Sequence, residues 1–266
     1  MPPDVVKLGA GSFGSVLRVE HTSTKRVYAA KIFMDGVSSI QNEIAVYLAL
    51  AKHDEHPSFQ GLVAFNSGAA LSWFVYPWCP FGCLASLIHG GRVLEYPVLH
   101  GFGNQVRSGL VHLHGTVGWL HLDLKPANIL WNDSTNHAYI VDFSLSEPWP
   151  VPATRVLQKQ YVTEPYRPPE LLQVGQATVF RLRPAVDAWS LGCVLAEAYT
   201  GRRLFSLRGA TIKEQVEAFL KNPDQWFRRS KWPAPLESTT TIMVRRLLNA
   251  DAVARSNCLL AWQFGL

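Results

Sequence analysis

The sequence predicts an α+β chain of two lobes, a small β-rich one carrying a single helix and a larger, mainly helical one. Three observations carry this. Short apolar runs separated by turn residues fill the first third; one helical period interrupts them; and beyond Pro80-Phe81-Gly82 the apolar period becomes that of a helix. Val5 to Leu8, Ser15 to Glu20 and Arg26 to Phe33 read as strands, with Thr22-Ser23-Thr24 as the turn between the last two. From Ser39 to Lys52, Ile40, Ile44, Tyr47 and Leu48 recur at helical spacing, and the helix must end before His56-Pro57. Leu71 to Trp78 is a further apolar strand.

Val98, Phe102, Val106, Leu110 and Leu113 mark a helix in spite of Gly101, Gly103 and Gly109. Glu147 to Pro169 has no period and is rich in Pro, Thr and Arg, as expected of a functional loop. Ala185 to Tyr199 is apolar almost all round, the pattern of a buried helix, and Gly201 is its stop. The composition shift near Cys79 divides one domain, 1–266, into a first lobe at 1–78, a connector at 79–82 and a second lobe at 83–266. No internal repeat or low-complexity tract is visible.

Composition removes several functional classes. With 48% hydrophobic residues in 266, the chain can bury a sizeable core and is not disordered. Four dispersed cysteines make neither a disulfide framework nor a paired zinc pattern, which points to reducing cytosol or nucleus. Met1-Pro2-Pro3-Asp4 does not begin a secretory signal, and no apolar run reaches the roughly 20 residues of a membrane span. The net charge of +5 and pI near 9.1 come from scattered residues, with only small clusters such as Arg228-Arg229-Ser230-Lys231. That favours a solvated surface over a nucleic-acid site.

Four strings carry chemistry. Gly9-Ala10-Gly11-Ser12-Phe13-Gly14-Ser15-Val16 places three glycines between candidate strands, where backbone N–H groups can approach phosphate oxygens. By itself such a string is more often a flexible turn. Lys31 sits among apolar residues in a strand and needs a counter-charge, for which Glu43 on the following helix is the candidate. His121-Leu122-Asp123-Leu124-Lys125-Pro126-Ala127-Asn128 puts a carboxylate, an ammonium and a carboxamide into one loop. Asp142-Phe143 follows the apolar run Tyr139-Ile140-Val141. Together these form the layout of metal-assisted phosphoryl transfer, which asks for positioning far more than for covalent chemistry.

From Gly9 to Arg255 the chain resembles the eukaryotic protein kinases of serine/threonine type. The loop at His121 matches H-R-D-x-K-x-x-N with Leu122 for Arg, Asp142-Phe143-Ser144 matches D-F-G with Ser for Gly, and Tyr28-Ala29-Ala30-Lys31 stands for V-A-I-K. Thr163-Glu164-Pro165-Tyr166-Arg167-Pro168-Pro169-Glu170 and Asp187-Ala188-Trp189-Ser190-Leu191-Gly192 match later motifs of the family, T-x-x-Y-R-x-P-E and D-x-W-S-x-G. The resemblance implies the bilobal kinase fold, ATP with Mg2+ or Mn2+ as cofactors, and a protein substrate with a Ser or Thr acceptor. No nucleic-acid partner and no membrane insertion are expected.

Residue by residue, the resemblance makes Asp123 the group that orients the substrate hydroxyl and accepts its proton, and Lys125 the cation on the γ-phosphate. Asn128 and Asp142 become the metal ligands, oxygen donors suited to a hard cation. Lys31 pairs the α and β phosphates and is held by Glu43; the interval between them is short for the family, so the helix start is expected to be clipped. Gly9, Ala10, Gly11, Ser12, Phe13 and Gly14 would cradle phosphates, while Val16, Ala29 and Leu130 would sandwich adenine, although core packing also accounts for those three. Tyr76 falls at the gatekeeper position, Pro77 offers a carbonyl and Cys79 an N–H to the base.

His121 is expected to pack under Phe143 and Tyr47 as a structural spine. Thr163 and Glu170 belong to the substrate platform, Glu170 in a buried ion pair with Arg255, and Asp187 caps the catalytic-loop backbone. Tyr166-Arg167 leans towards the cyclin-dependent and mitogen-activated group, without that group's insert. Leu122 cannot bind a phosphorylated loop residue, so activity is expected to be independent of activation-loop phosphorylation, with Thr154 and Thr163 the residues open to it. Ser144 would cost about 1 kcal/mol if its position needs positive φ. With little before Gly9 or after Arg255, an almost minimal domain is expected. The rival readings are a pseudokinase scaffold and a small-molecule phosphotransferase; Thr163 and the Pro-Pro-Glu segment weigh against the latter.

Overall fold

The computed structural model describes residues 6–11, 14–33, 39–68, 71–150, 161–172, 182–229, 232 and 238–261. It is α+β and bilobal. In the first lobe β1 (Val6–Gly11), β2 (Gly14–Glu20), β3 (Val27–Phe33), β4 (Ala64–Ser67) and β5 (Ser72–Pro77) form one antiparallel sheet in the order β1-β2-β3-β5-β4. Helix α1 (Ser39–Leu50) lies between β3 and β4 in the chain. The strand at Ala64–Ser67 is absent from the sequence expectation. It is an edge strand exposed at all four positions, so it has no apolar face to read.

The buried face of α1 also departs from the expected stripe. Ile40, Glu43, Val46 and Tyr47 are buried while Leu48 is 51% exposed. The helix is apolar on most sides, so its periodicity alone did not say which face meets the sheet. What decides it is Glu43, drawn inward by a charge on β3.

The second lobe begins with α2 (Leu84–His89) and α3 (Tyr96–His112), which runs on through a wider turn at Leu113–Val117 and ends at Gly118 with φ 77°. Two short antiparallel ribbons follow: β6 (Trp119–Leu120) pairs with β9 (Glu147–Pro148), and β7 (Ile129–Asn132) pairs with β8 (His137–Ile140). Helices α4 (Pro169–Leu172), α5 (Ala185–Thr200), α6 (Ile212–Lys221), α7 (Pro223–Arg229), α8 (Thr239–Leu247) and α9 (Ala252–Ala261) complete it. Helix α5 is buried from Ala185 to Tyr199, and Gly201 ends it in the left-handed region at φ 70°. Among the described residues no helix is long and apolar enough to cross a membrane.

Leu99, Phe102, Val106 and Leu110 point α3 into the core. Gly109 lets this helix approach the ribbon that carries the site, since a Cβ there would lie 2.7 Å from Ser58 Cβ and 2.8 Å from Ile140 Cδ1. Gly109→Ala is therefore expected to destabilise the fold by about 1–2 kcal/mol net, overpacking outweighing the ~1 kcal/mol gain in helix propensity. Urea unfolding measures it, and a stabilised variant would mean that α3 shifts freely.

Candidate active site

Strand β3 is central in its sheet, and its register sets Lys31 opposite Val16 on β2 and Phe74 on β5. An ammonium there has little water, and it is met by two carboxylates. Lys31 Nζ donates to Glu43 Oε2 at 2.7 Å and to Asp142 Oδ1 at 2.9 Å. Burial alone would lower the pKa of Lys31, but the charges of Glu43 and Asp142 outweigh it and hold it above the ordinary lysine value. Burial likewise pushes Asp142 up, yet Lys31 prevails and the pKa falls to about 2. For Glu43, 1% exposed, burial wins and its pKa is raised in spite of Lys31.

The sequence reading set Tyr76 against the base. In the structure its Oη also donates to Glu43 Oε1 at 2.7 Å. The signal available was modest: a tyrosine in an apolar strand needs a partner for its hydroxyl.

The loop after β6 is held from below by Asp187, fully buried on α5. Its carboxylate accepts from His121 N and Leu122 N, each at 2.8 Å, and meets His114 Nε2 at 2.8 Å. Burial would raise the pKa of Asp187, but the His114 bond, the charges of His114 and His121 and the backbone N–H keep it below the usual range. His114 was not singled out from the sequence, where a histidine near a helix end carries no distinguishing spacing.

Leu122 is fully buried at φ 63°, and its carbonyl accepts from Val162 N at 2.9 Å. Val162 (φ 63°) and Asp142 (φ 68°) share that left-handed conformation, which costs a non-glycine residue of order 1–2 kcal/mol. Ser144 does not share it. The strain expected at Ser144 thus sits two residues earlier, on Asp142, and Ser144 is simply buried beside it.

Asp123, Lys125, Asn128 and Thr163 converge. Asp123 Oδ1 accepts from Thr163 Oγ1 at 2.7 Å and Thr163 N at 3.1 Å, and Oδ2 accepts from Lys125 Nζ at 2.6 Å. Lys125 Nζ also donates to Thr163 Oγ1 at 2.9 Å. Asn128 Nδ2 donates to Asp123 O at 2.9 Å and Oδ2 at 3.1 Å, which leaves its carbonyl oxygen for a cation. His121 Nδ1 accepts from Asp123 N at 3.2 Å while Nε2 meets Val141 O at 3.1 Å, a set that one neutral tautomer satisfies. The His121 ring lies 5.5 Å from that of Phe143, which lies 5.3 Å from Tyr47, so the three pack edge to face in a row across the two lobes.

A cavity of about 440 Å³ joins these parts. Val16 and Ala29 line it from β2 and β3, Leu130 from β7, Tyr76 and Pro77 from the end of β5, Cys79 from the connector, and Lys31, Asn128 and Asp142 complete the wall. Larger hollows of about 1060 Å³ behind α1, with Asp54, Glu55 and three histidines in its lining, and 760 Å³ beside α9 include none of Lys31, Asn128 and Asp142. Gly9, Ala10 and Gly11 close strand β1; Ser12 and Phe13 lie outside the described residues, as does Thr154. Gly14 is needed where it stands, because at φ 152° a Cβ would meet Ile32 O at 2.0 Å.

Asn128 and Asp142 fit a hard divalent cation: one amide oxygen and one ionised carboxylate on the same cavity wall. Among the described residues no group of three or more His, Cys, Asp or Glu side chains could cage a metal by itself, so phosphate and water would supply the remaining ligands. At the other side of Thr163, Glu170 pairs with Arg255, whose guanidinium is fully buried and also serves Ala185 O, Asn249 O and Ala250 O. The pair is less enclosed than expected, since the Glu170 side chain is 31% exposed.

The family model for the protein kinase domain matches residues 4–263. A probable serine/threonine-protein kinase of Arabidopsis thaliana is 32% identical over 85% of this chain and 32% of its own length. From Encephalitozoon cuniculi, a probable cell division protein kinase is 29% identical over 77% of the chain and 64% of its own, and a probable CTD kinase subunit alpha homolog 31% identical over 79% and 60%. The chain thus spans between a third and two thirds of the length of these relatives. With this match over nearly all its residues and the bilobal fold that holds the site, the chain belongs to the eukaryotic protein kinase superfamily.

Proposed function

We propose that this chain transfers the γ-phosphate of ATP to serine or threonine hydroxyls of protein substrates. The observation that carries the reading is that Lys31 holds Glu43 and Asp142 at once, 2.7 and 2.9 Å away, on the wall of the cavity that ends at Asp123's loop. Lys31 would steady the α and β phosphates, and Asp123 would orient the acceptor hydroxyl and take its proton while Lys125 faces the γ-phosphate. Asn128 and Asp142 would hold Mg2+ or Mn2+, whose charge neutralises the phosphates during transfer. Adenine would sit between Val16, Ala29 and Leu130, against the Pro77 carbonyl and the Cys79 N–H. Leu122, sunk in the core, offers no charge to a phosphorylated loop, which supports activity without that modification.

The peptide platform supports a finer reading. Val162 precedes Thr163, and its carbonyl already accepts from Arg167 Nε at 3.3 Å and Nη2 at 3.0 Å. A substrate N–H passing there finds no free acceptor, so a residue without an N–H, proline, loses nothing after the phosphorylated position. The test is phosphate incorporation into a peptide library by wild type and Asp142→Ala in parallel. Wild type is expected to favour Ser-Pro and Thr-Pro peptides by about tenfold, roughly one hydrogen bond's worth, and the variant to be inactive. No transfer by either protein would turn the reading to a binding scaffold.

A further inference from the structure

Resting on that reading, we propose that the Tyr76 hydroxyl is a positioning group: through Glu43 it keeps α1 docked against the sheet in the place Lys31 requires. Glu43 is buried, and each of its oxygens has its own donor, Lys31 for Oε2 and Tyr76 for Oε1. The two donors are not equivalent. Lys31 is also bonded to Asp142, so it would keep a counter-charge if Glu43 swung away. The ammonium therefore does not by itself hold the helix.

Tyr76 belongs to β5, paired with β3 in the register Ala29 to Tyr76, so its hydroxyl is anchored to the same rigid sheet as Lys31. Removing it leaves half of a buried carboxylate without a donor, a state that favours moving the carboxylate, and α1 with it, towards water. Apolar packing holds α1 at both ends, Ile40 with Phe33 and Phe74, Val46 and Tyr47 in the main core, so the hydroxyl sets the place of the Glu43 turn between them. Among the described residues Asn42 Nδ2 also tethers α1, donating to Ser146 O at 3.0 Å. With Leu122 unable to clamp the loop by charge, the latch lies inside the cleft.

Tyr76→Phe deletes one oxygen. In the full chain, amide hydrogen exchange across Ser39–Leu50 is expected to quicken about tenfold, with a similar fall in kcat/KM for ATP, the size of a lost donor to a buried carboxylate. In a Glu43→Ala background the same change should add less than about twofold, because the contact is already gone. Equal losses in both backgrounds, or unchanged α1 exchange, would overturn the proposal. Should Tyr76→Phe not fold, Glu43→Gln, which still accepts from Tyr76, is compared with Glu43→Ala; equal exposure of α1 in both also overturns it. If wild type transfers no phosphate, the kinase reading fails while α1 exchange still judges the latch.

Discussion

Asp123→Asn is expected to lower single-turnover phosphate transfer by about 10²–10⁴-fold, the range for a deleted general base, while the folded state persists. On the proposed reading the carboxylate receives the acceptor hydroxyl, and it already accepts one hydroxyl, that of Thr163, at 2.7 Å from Oδ1. An amide in its place has no basicity. It also carries two N–H groups into a setting with Thr163 N on one side and Lys125 Nζ and Asn128 Nδ2 on the other, all donors, beside the Thr163 hydroxyl. Whichever way the amide turns, one donor faces another, so a modest stability loss of about 1–2 kcal/mol accompanies the kinetic one. The two effects separate by measuring nucleotide binding, which the variant should retain. Transfer within threefold of wild type would remove Asp123 from the chemistry.

That prediction uses residues that were legible in the chain before any coordinates. The loop at His121, the Asp142-Phe143 pair and Lys31 stand in local strings, and local strings survive folding unchanged. The same holds for α5, where an apolar run and a glycine stop need no knowledge of neighbours. What could not be read depends on partners far along the chain. Strand β4 exists because Phe65 pairs with Phe74, not because its own four residues alternate. His114 matters only because Asp187, 73 positions later, comes within 2.8 Å of it. Gly109 looked like a defect in a helix until Ser58 and Ile140 were seen pressed against it. The strain at Leu122, Asp142 and Val162 was misplaced onto Ser144 for a related reason: composition says which residue resists positive φ, whereas the fold decides which must adopt it.

The largest stability effect is expected at Arg255, and it should not be shared equally with its partner. The guanidinium is fully buried, lies 5.5 Å from the Trp189 ring centroid, and sends Nε to Ala185 O, Nη1 to Asn249 O and Ala250 O, and Nη2 to Glu170. Arg255→Met keeps much of the volume but removes a donor from each of three backbone carbonyls and one carboxylate. A loss of about 3–5 kcal/mol follows from the typical cost of breaking a buried pair, seen as a melting shift of roughly 10 °C for a chain of this size. Glu170→Gln is different. The Glu170 side chain is 31% exposed, so water can replace its part of the bond, and the amide oxygen still accepts from Nη2; about 1 kcal/mol is expected. Thermal and urea unfolding of the two variants decide between this asymmetry and an ordinary ion pair. Equal losses would mean that charge attraction dominates the site, whereas the predicted imbalance would show that Arg255 stabilises the second lobe chiefly by tying the start of α5 to the turn before α9, with Glu170 riding on an arginine that the backbone already holds.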